Sequence, residues 1–227
     1  MSLILHIDTA TENAIISVAE EEHVIFSLTN NNQKDHASFL QPGIKELLKQ
    51  SNVAINQLDA VSVTAGPGSY TGLRVGMASA KGICYALQIP LITLNTLEVM
   101  ALSVIINTID PDLYLYCPMI DARRQEVFTA LFDKDLNGII PSCNLTLNPE
   151  SFDEFLQSRK IIFCGNGAQK FLNLSIHRDL SQSSKMSISG ALALLSSKKF
   201  QQKNFADLLH SDPVYLKQFY SMGAFEK

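Results

Sequence analysis

Twice along the chain an apolar, branched run stops on an aspartate, two short strands and a helix follow, and a further strand ends in a glycine loop. In the first copy residues 3–7 stop at Asp8-Thr9, and strands at 15–19 and 24–28 flank the charged turn Glu20-Glu21-Glu22. Leu40, Ile44, Leu47 and Leu48 give residues 35–49 a helical period, with Pro42 expected to bend or stop its first turns. A strand at 61–65 opens into Gly66-Pro67-Gly68, and Ser69 is placed to cap a helix running to about Leu87. A strand at 90–94 and a helix at 96–105 follow.

The second copy has a strand at 113–120 ending at Asp121, strands at 127–132 and 139–145, a helix at 149–157, and a strand at 161–164 ending in Gly165-Asn166-Gly167. Two β-β-β-α-β-α lobes of α/β class account for this order. The break at Asp110-Pro111-Asp112 divides them into residues 1–109 and 110–227. A helix at 189–199 and a last short segment at 205–216, free to pack back on the first lobe, complete the chain.

With 46% hydrophobic and 18% charged residues in 227, the chain can bury a sizeable core. Its 18 basic and 22 acidic residues, net −4, exclude unaided capture of nucleic acid by the field of the whole protein, so any nucleic-acid role is indirect. Cys84, Cys117, Cys143 and Cys164 are far apart, without a C-x-x-C, and read as buried free thiols in a reducing cytoplasm. No basic region precedes Asp8, and the longest apolar stretch, near 99–106, is far short of the ~20 residues that span a bilayer, so neither a signal peptide nor a membrane role is expected.

Gly66-Pro67-Gly68-Ser69-Tyr70-Thr71-Gly72 lies where backbone N–H groups at a helix start can hold an anion, yet it lacks the lysine of a P-loop and the glycine spacing of a dinucleotide fold. On pattern alone a tight turn whose glycines let the helix pack on the sheet is the favoured reading. The helix beyond is dense in small residues, Gly72, Gly76, Ser79, Ala80 and Gly82, although each glycine costs roughly 1 kcal/mol against alanine. Close approach of another helix, inside the domain or across an interface, would offset that cost. Arg74, Lys81 and Tyr85 fall on a different stripe from Leu73, Met77, Ala80 and Cys84. Asp8 and Asp121, each ending a strand, could hold Mg²⁺-bound water or simply accept turn N–H groups. His6, His23, His36, His177 and His210 form no H-x-x-x-H or H-E-x-x-H, and no G-x-S-x-G is present.

Taken together, Ile4-Leu5-His6-Ile7-Asp8-Thr9-Ala10-Thr11, Lys34-Asp35-His36-Ala37-Ser38, the glycine segment through Gly76, and Asp121-Ala122-Arg123-Arg124-Gln125-Glu126-Val127-Phe128 resemble the bacterial TsaB (YeaZ) family. The resemblance covers the chain to about Lys217 and is weakest over 136–187. It implies a duplicated actin-like fold of the sugar-kinase, Hsp70 and actin type. It further implies a role in forming threonylcarbamoyl-adenosine at position 37 of tRNAs that read codons beginning with A. In that pathway a larger TsaD-type paralogue carries the metal and the transfer, and a small TsaE-type ATPase joins the pair. Where the paralogue has H-x-x-x-H, this chain has His36 followed by Leu40. A non-catalytic scaffold without cofactor or metal is therefore expected, a homodimer when alone, touching tRNA only indirectly. Its partner interface is expected at His36, Leu40, Gly72, Arg74, Gly76, Ser79 and Ile83. Asp8, Thr9, Gly66, Gly68 and Ser69 are read as a vestigial nucleotide or anion site. The competing class is an actin-fold ATPase or small-molecule kinase with its nucleotide between the lobes.

Overall fold

The computed structural model describes residues 1–32, 35–177, 180–183 and 186–217. Lys34, part of the expected helix start, lies outside them. The first lobe begins with an antiparallel meander of β1 (Leu3–Asp8), β2 (Ala14–Glu20) and β3 (His23–Asn30), followed by α1 (His36–Gln50). It continues with β4 (Ala60–Gly66), α2 (Tyr70–Leu87), β5 (Leu91–Asn95) and α3 (Thr96–Ile105). The second lobe contains β6 (Tyr114–Asp121), β7 (Glu126–Phe132), β8 (Gly138–Thr146), α4 (Asp153–Leu156), β9 (Lys160–Cys164), α5 (Ala168–Leu174), β10 (Ser181–Ser183) and α6 (Ile188–Gln201).

The two sheets have one topology. Their orders are β3-β2-β1-β4-β5 and β8-β7-β6-β9-β10, with antiparallel pairing through the meander and parallel pairing beyond it. The repeat therefore extends one strand and one helix further than the β-β-β-α-β-α unit read from the sequence. β10 is the strand that pattern reading omits, because Ser181-Gln182-Ser183 at a sheet edge carries no apolar signal.

Two expectations are corrected. α1 runs unbroken through Pro42: proline removes one bond to the carbonyl four residues back, and Ser38 and Pro42 are both exposed, so water can satisfy that carbonyl. The helix expected over 149–157 contracts to the single turn α4. Ser151 Oγ accepts the Asn148 N–H (2.8 Å) and Asn148 Oδ1 accepts the Glu150 N–H (2.9 Å), which holds the preceding residues in a side-chain-bonded turn.

Alternation along β1 sends Leu5 and Ile7 to the core beneath α1 and α2, and Ile4 and His6 to the opposite face under α6. α6, late in the chain, thus packs on the first sheet, where Ala191 and Leu192 join Ile4, Ala60 and Ile92, and Lys199 Nζ donates to the Thr93 carbonyl at 2.8 Å. α3 places Leu97, Met100 and Val104 in a core with Tyr116, Ile120 and Phe132 of the second sheet. α3 and α6 also pack against each other, with Val99 and Leu192 in one buried cluster, so the lobes share their innermost layer. Among the described residues no helix is long and apolar enough to cross a membrane.

Candidate functional site

The strand ends β1 and β4 bring Asp8, Thr9 and the Gly66–Ser69 loop into one corner. Asp8 is 3% exposed, and its Oδ1 accepts the Ala10 N–H (3.1 Å) and the Thr64 hydroxyl (2.8 Å). Burial pushes its pKa up, with these bonds and the nearby His36 acting the other way. Thr9 Oγ1 donates to the Gly72 carbonyl (2.7 Å), and the Ser69 N–H donates to the Ala10 carbonyl (2.7 Å). Ser69 caps α2 as expected, its Oγ accepting the Gly72 N–H at 3.3 Å.

The glycines of the loop serve the chain's approach to itself. A Cβ on Gly68 would lie 2.3 Å from the Ala10 carbonyl oxygen, and one on Gly66, at φ +121°, would lie 2.5 Å from that of Val214. The five residues read as a vestigial anion site are thus assembled, but the space against the loop is taken by Ala10 and by the C-terminal segment.

In the second lobe the corresponding carboxylate is engaged differently. Lys170 Nζ donates to Asp121 Oδ1 (2.7 Å) and to the carbonyls of Arg124 (2.7 Å) and Glu126 (3.2 Å). Partial burial opposes ionisation of Asp121, yet the Lys170 ammonium and the Arg123 N–H together hold its pKa below the usual carboxylate range. Across the lobes the Asn166 amide donates to Glu12, while its Oδ1 accepts the Asp121 N–H at 2.9 Å. Among the described residues no group of three or more His, Cys, Asp or Glu could hold a metal ion.

Four residues expected at a partner interface are inside the lobe instead. His36 is 3% exposed, its Nε2 3.1 Å from the Glu12 carbonyl oxygen, and Leu40 is fully buried in the first core. Gly72 and Gly76 face β1, where added Cβ atoms would lie 2.0 Å from the Thr9 carbonyl oxygen and 2.4 Å from Thr9 Oγ1. The close approach that their lack of bulk allows is between α2 and the first strand. Of the remaining three, Arg74 is exposed, and Ser79 and Ile83 are half-buried, with Ser79 Oγ accepting the Gln41 amide across the α1–α2 seam at 3.2 Å. Beside them Ala78, Gly82 and Ala86 are exposed, and a Cβ on Gly82 would meet nothing within 4 Å.

The segment after α6 crosses the other flank of α2. The Ala206 N–H donates to the Leu91 carbonyl (2.8 Å) and the Val214 N–H to that of Ala65 (2.7 Å). Lys81 Nζ donates to the Leu209 (3.1 Å) and Ser211 (3.0 Å) carbonyls, and Arg74 Nε to the Tyr215 hydroxyl (3.1 Å). Lys217 then reaches the second lobe, 2.7 Å from Glu126 Oε2. Sequence reading left the last segment free to pack back on the first lobe without naming its contacts, and it missed the Lys170 hub, because each joins residues far apart in the chain and no local pattern marks either. Lys81→Met removes both carbonyl bonds, so faster proteolysis within 205–216 is expected, with a melting temperature within a few degrees of wild type, the loss being about 1–2 kcal/mol.

The four cysteines are free, three buried and Cys143 half-buried; burial raises the thiol pKa to about 11 at Cys84 and about 12 at Cys117.

The duplicated sheets and exchanged inner helices define a two-lobed protein of the actin-like α/β class. The family model for TsaD, tRNA N6-adenosine threonylcarbamoyltransferase, matches residues 23–222. The TsaB protein of Bacillus subtilis strain 168, named for tRNA threonylcarbamoyladenosine biosynthesis, is 30% identical over 182 residues, covering 78% of this chain and 74% of that protein. Its Escherichia coli K12 counterpart is 28% identical over 223 residues, 94% of each. YeaZ from Pseudomonas aeruginosa superposes with a TM-score of 0.77 at 23% identity, covering 95% of this chain and all of that one. The chain belongs to the TsaB (YeaZ) family.

Proposed function

We propose that the chain serves tRNA threonylcarbamoyladenosine biosynthesis as a non-catalytic subunit, binding a TsaD-type paralogue that carries the transfer chemistry, with a TsaE-type ATPase joining them and self-pairing when alone. The observation that carries this reading is that both strand-end carboxylates are committed internally, Asp8 to Thr64 and Ala10, Asp121 to Lys170. A kinase or ATPase of this fold would instead need them free toward a nucleotide and its metal.

The partner surface in this reading is the outer stripe of α2. It keeps Ser79 and Ile83 from the expected set, with Arg74 at its flank, and replaces the buried glycines by Ala78, Gly82 and Ala86. Small exposed residues four apart let a partner helix approach closely. Gly82→Glu should leave the fold as stable as wild type or more so, because leaving glycine in a helix gains up to about 1 kcal/mol and nothing obstructs the new side chain. It should abolish association with the paralogue and with itself. Sedimentation and thermal melts on the same sample check this, and unchanged association would move the partner surface elsewhere.

The functional test is reconstitution. The chain alone, given ATP and an unmodified tRNA transcript, should give neither turnover nor modified nucleoside. Adding the paralogue, the ATPase and threonylcarbamoyl-AMP should give modification that depends on the chain. Modification or ATP turnover by the chain alone would overturn the non-catalytic reading.

A further inference from the structure

The connection from β6 to β7 spans only residues 122–125, yet it places two arginines in left-handed backbone conformations, Arg123 at φ +70° and Arg124 at φ +51°. Such positions favour glycine or asparagine, and long side chains there are costly. The surrounding bonds impose the conformation. The Glu126 N–H donates to the Arg123 carbonyl (3.1 Å), the Ala122 N–H to that of Glu126 (3.1 Å), and the Arg123 N–H to Asp121 Oδ1 (2.6 Å). Lys170, only 21% exposed, directs its ammonium at Asp121 and at the Arg124 and Glu126 carbonyls, gathering the acceptors of the connection on one donor.

This arrangement also fixes the electrostatics of the tip. The two acidic residues that flank the arginines are each claimed by a lysine, Asp121 by Lys170 and Glu126 by Lys217. Both arginines are exposed, and among the described residues neither guanidinium makes a hydrogen bond or an ion pair. A chain of net charge −4 thus carries a rigid point where four cations, Arg123, Arg124, Lys170 and Lys217, stand against three anions, Asp121, Glu126 and Glu12, the last reaching Asp121 through Asn166. Guanidinium forks are matched to phosphate oxygens, which accept two parallel N–H bonds.

We propose that Arg123 and Arg124 are a contact for the phosphodiester backbone of RNA, the tip being held in shape by Lys170. The inference rests on the proposed role in tRNA modification, which supplies the RNA. It narrows the expectation of a purely indirect nucleic-acid role: the net charge excludes capture by the whole surface, whereas a two-phosphate contact needs only a local excess of cations.

The test exploits the cost of the backbone conformation. Replacing the pair with turn-forming residues, Arg123→Asn with Arg124→Gly, should raise the melting temperature by about 3 °C, since both residues tolerate positive φ. The same variant, assembled with the paralogue, should bind an unmodified tRNA transcript about tenfold more weakly at low salt, and the slope of log K against log salt should fall by about two. Arg123→Lys with Arg124→Lys should restore most of the slope. Wild-type affinity and slope in the Asn-Gly variant would overturn the proposal, as would a complex that binds the transcript with no salt dependence. Loss of paralogue association in place of RNA affinity would also overturn it, assigning the pair to an acidic protein surface. Failure of the broader role is read separately, in the wild-type complex: no modified nucleoside there sinks the proposed function, whatever the variants do.

Discussion

Gly72→Ala is expected to lower the melting temperature by roughly 6 °C although it adds one methyl group to a helix. The new Cβ would lie 2.0 Å from the Thr9 carbonyl oxygen, and that backbone cannot retreat. Thr9 follows the last residue of β1, its hydroxyl is bonded to the Gly72 carbonyl, and the next carbonyl, of Ala10, accepts the Ser69 N–H. Relief requires α2 to lift off the sheet. Overpacking of this kind costs about 3 kcal/mol or more, against a helix-propensity gain of about 1 kcal/mol. For a chain of this size a net loss near 2 kcal/mol corresponds to about 4–8 °C. Gly76→Glu is more severe, because it drives a carboxylate toward Thr9 Oγ1, Ile7 and Val63 with no cation there to pair it. It should fail to accumulate as folded protein, where Gly82→Glu, one turn and a half further along the same helix, should fold normally. A Gly76→Glu protein that melts like wild type but loses association would show that this side of α2 is not core.

The second large effect is on acid stability. His6 is fully buried between β1 and α6, with Nε2 2.7 Å from Ser196 Oγ and Nδ1 3.2 Å from Ser17 Oγ. Ser196 donates its own proton to the Leu192 carbonyl (2.6 Å), so it can only accept from the imidazole. The groups facing the ring are hydroxyls: Ser17 from β2, Ser196 from α6, and Ser62, its register partner on β4. Burial therefore lowers the His6 pKa to about 4, with a hydrogen bond to the Ser17 backbone acting the other way. Between that value and the ordinary 6.5 the unfolded chain takes up the proton first. Stability is then fully present above pH 6.5 and is lost as pH falls toward 4, by about 3 kcal/mol. Asp8, further along the same strand face, has its pKa raised by burial and contributes with the opposite sign, stabilising the fold on acidification. Urea titrations from pH 7 to 4 should show the loss most clearly in Asp8→Asn, where the opposing group is removed, and show it abolished in His6→Gln. An unchanged acid profile in His6→Gln would place the titrating group elsewhere.

The signals that pattern reading uses are local, and most of the fold was present in them. Buried parallel strands are short apolar runs, so β1, β4, β5, β6 and β9 are plain in the sequence, and the aspartates that end β1 and β6 mark corresponding corners of the two lobes. Polar edges and short helices are not: β10 carries serine and glutamine, and residues 149–157 have enough apolar spacing for a helix that side-chain-bonded turns forestall. The glycine density of α2 was legible as a demand for close approach. Which surface approaches was not, because spacing defines a bare side of a helix without naming its neighbour.

The chain's order of apolar runs, turn residues and glycines by itself determined a duplicated α/β protein, the capped start of α2 and the lack of any metal-ligand pair at His36, since each depends on residues within a few positions of one another. Tertiary structure alone decided that Gly72 and Gly76 pack against Thr9, that Lys170 holds the β6–β7 tip, that α6 closes over the first sheet and that the strap lies on α2. These contacts join residues about 50 to more than 180 positions apart. Such a pair is selected by shape and by the burial and hydrogen-bond energy of the assembled lobes, and that energy has no counterpart in the local preferences of either partner.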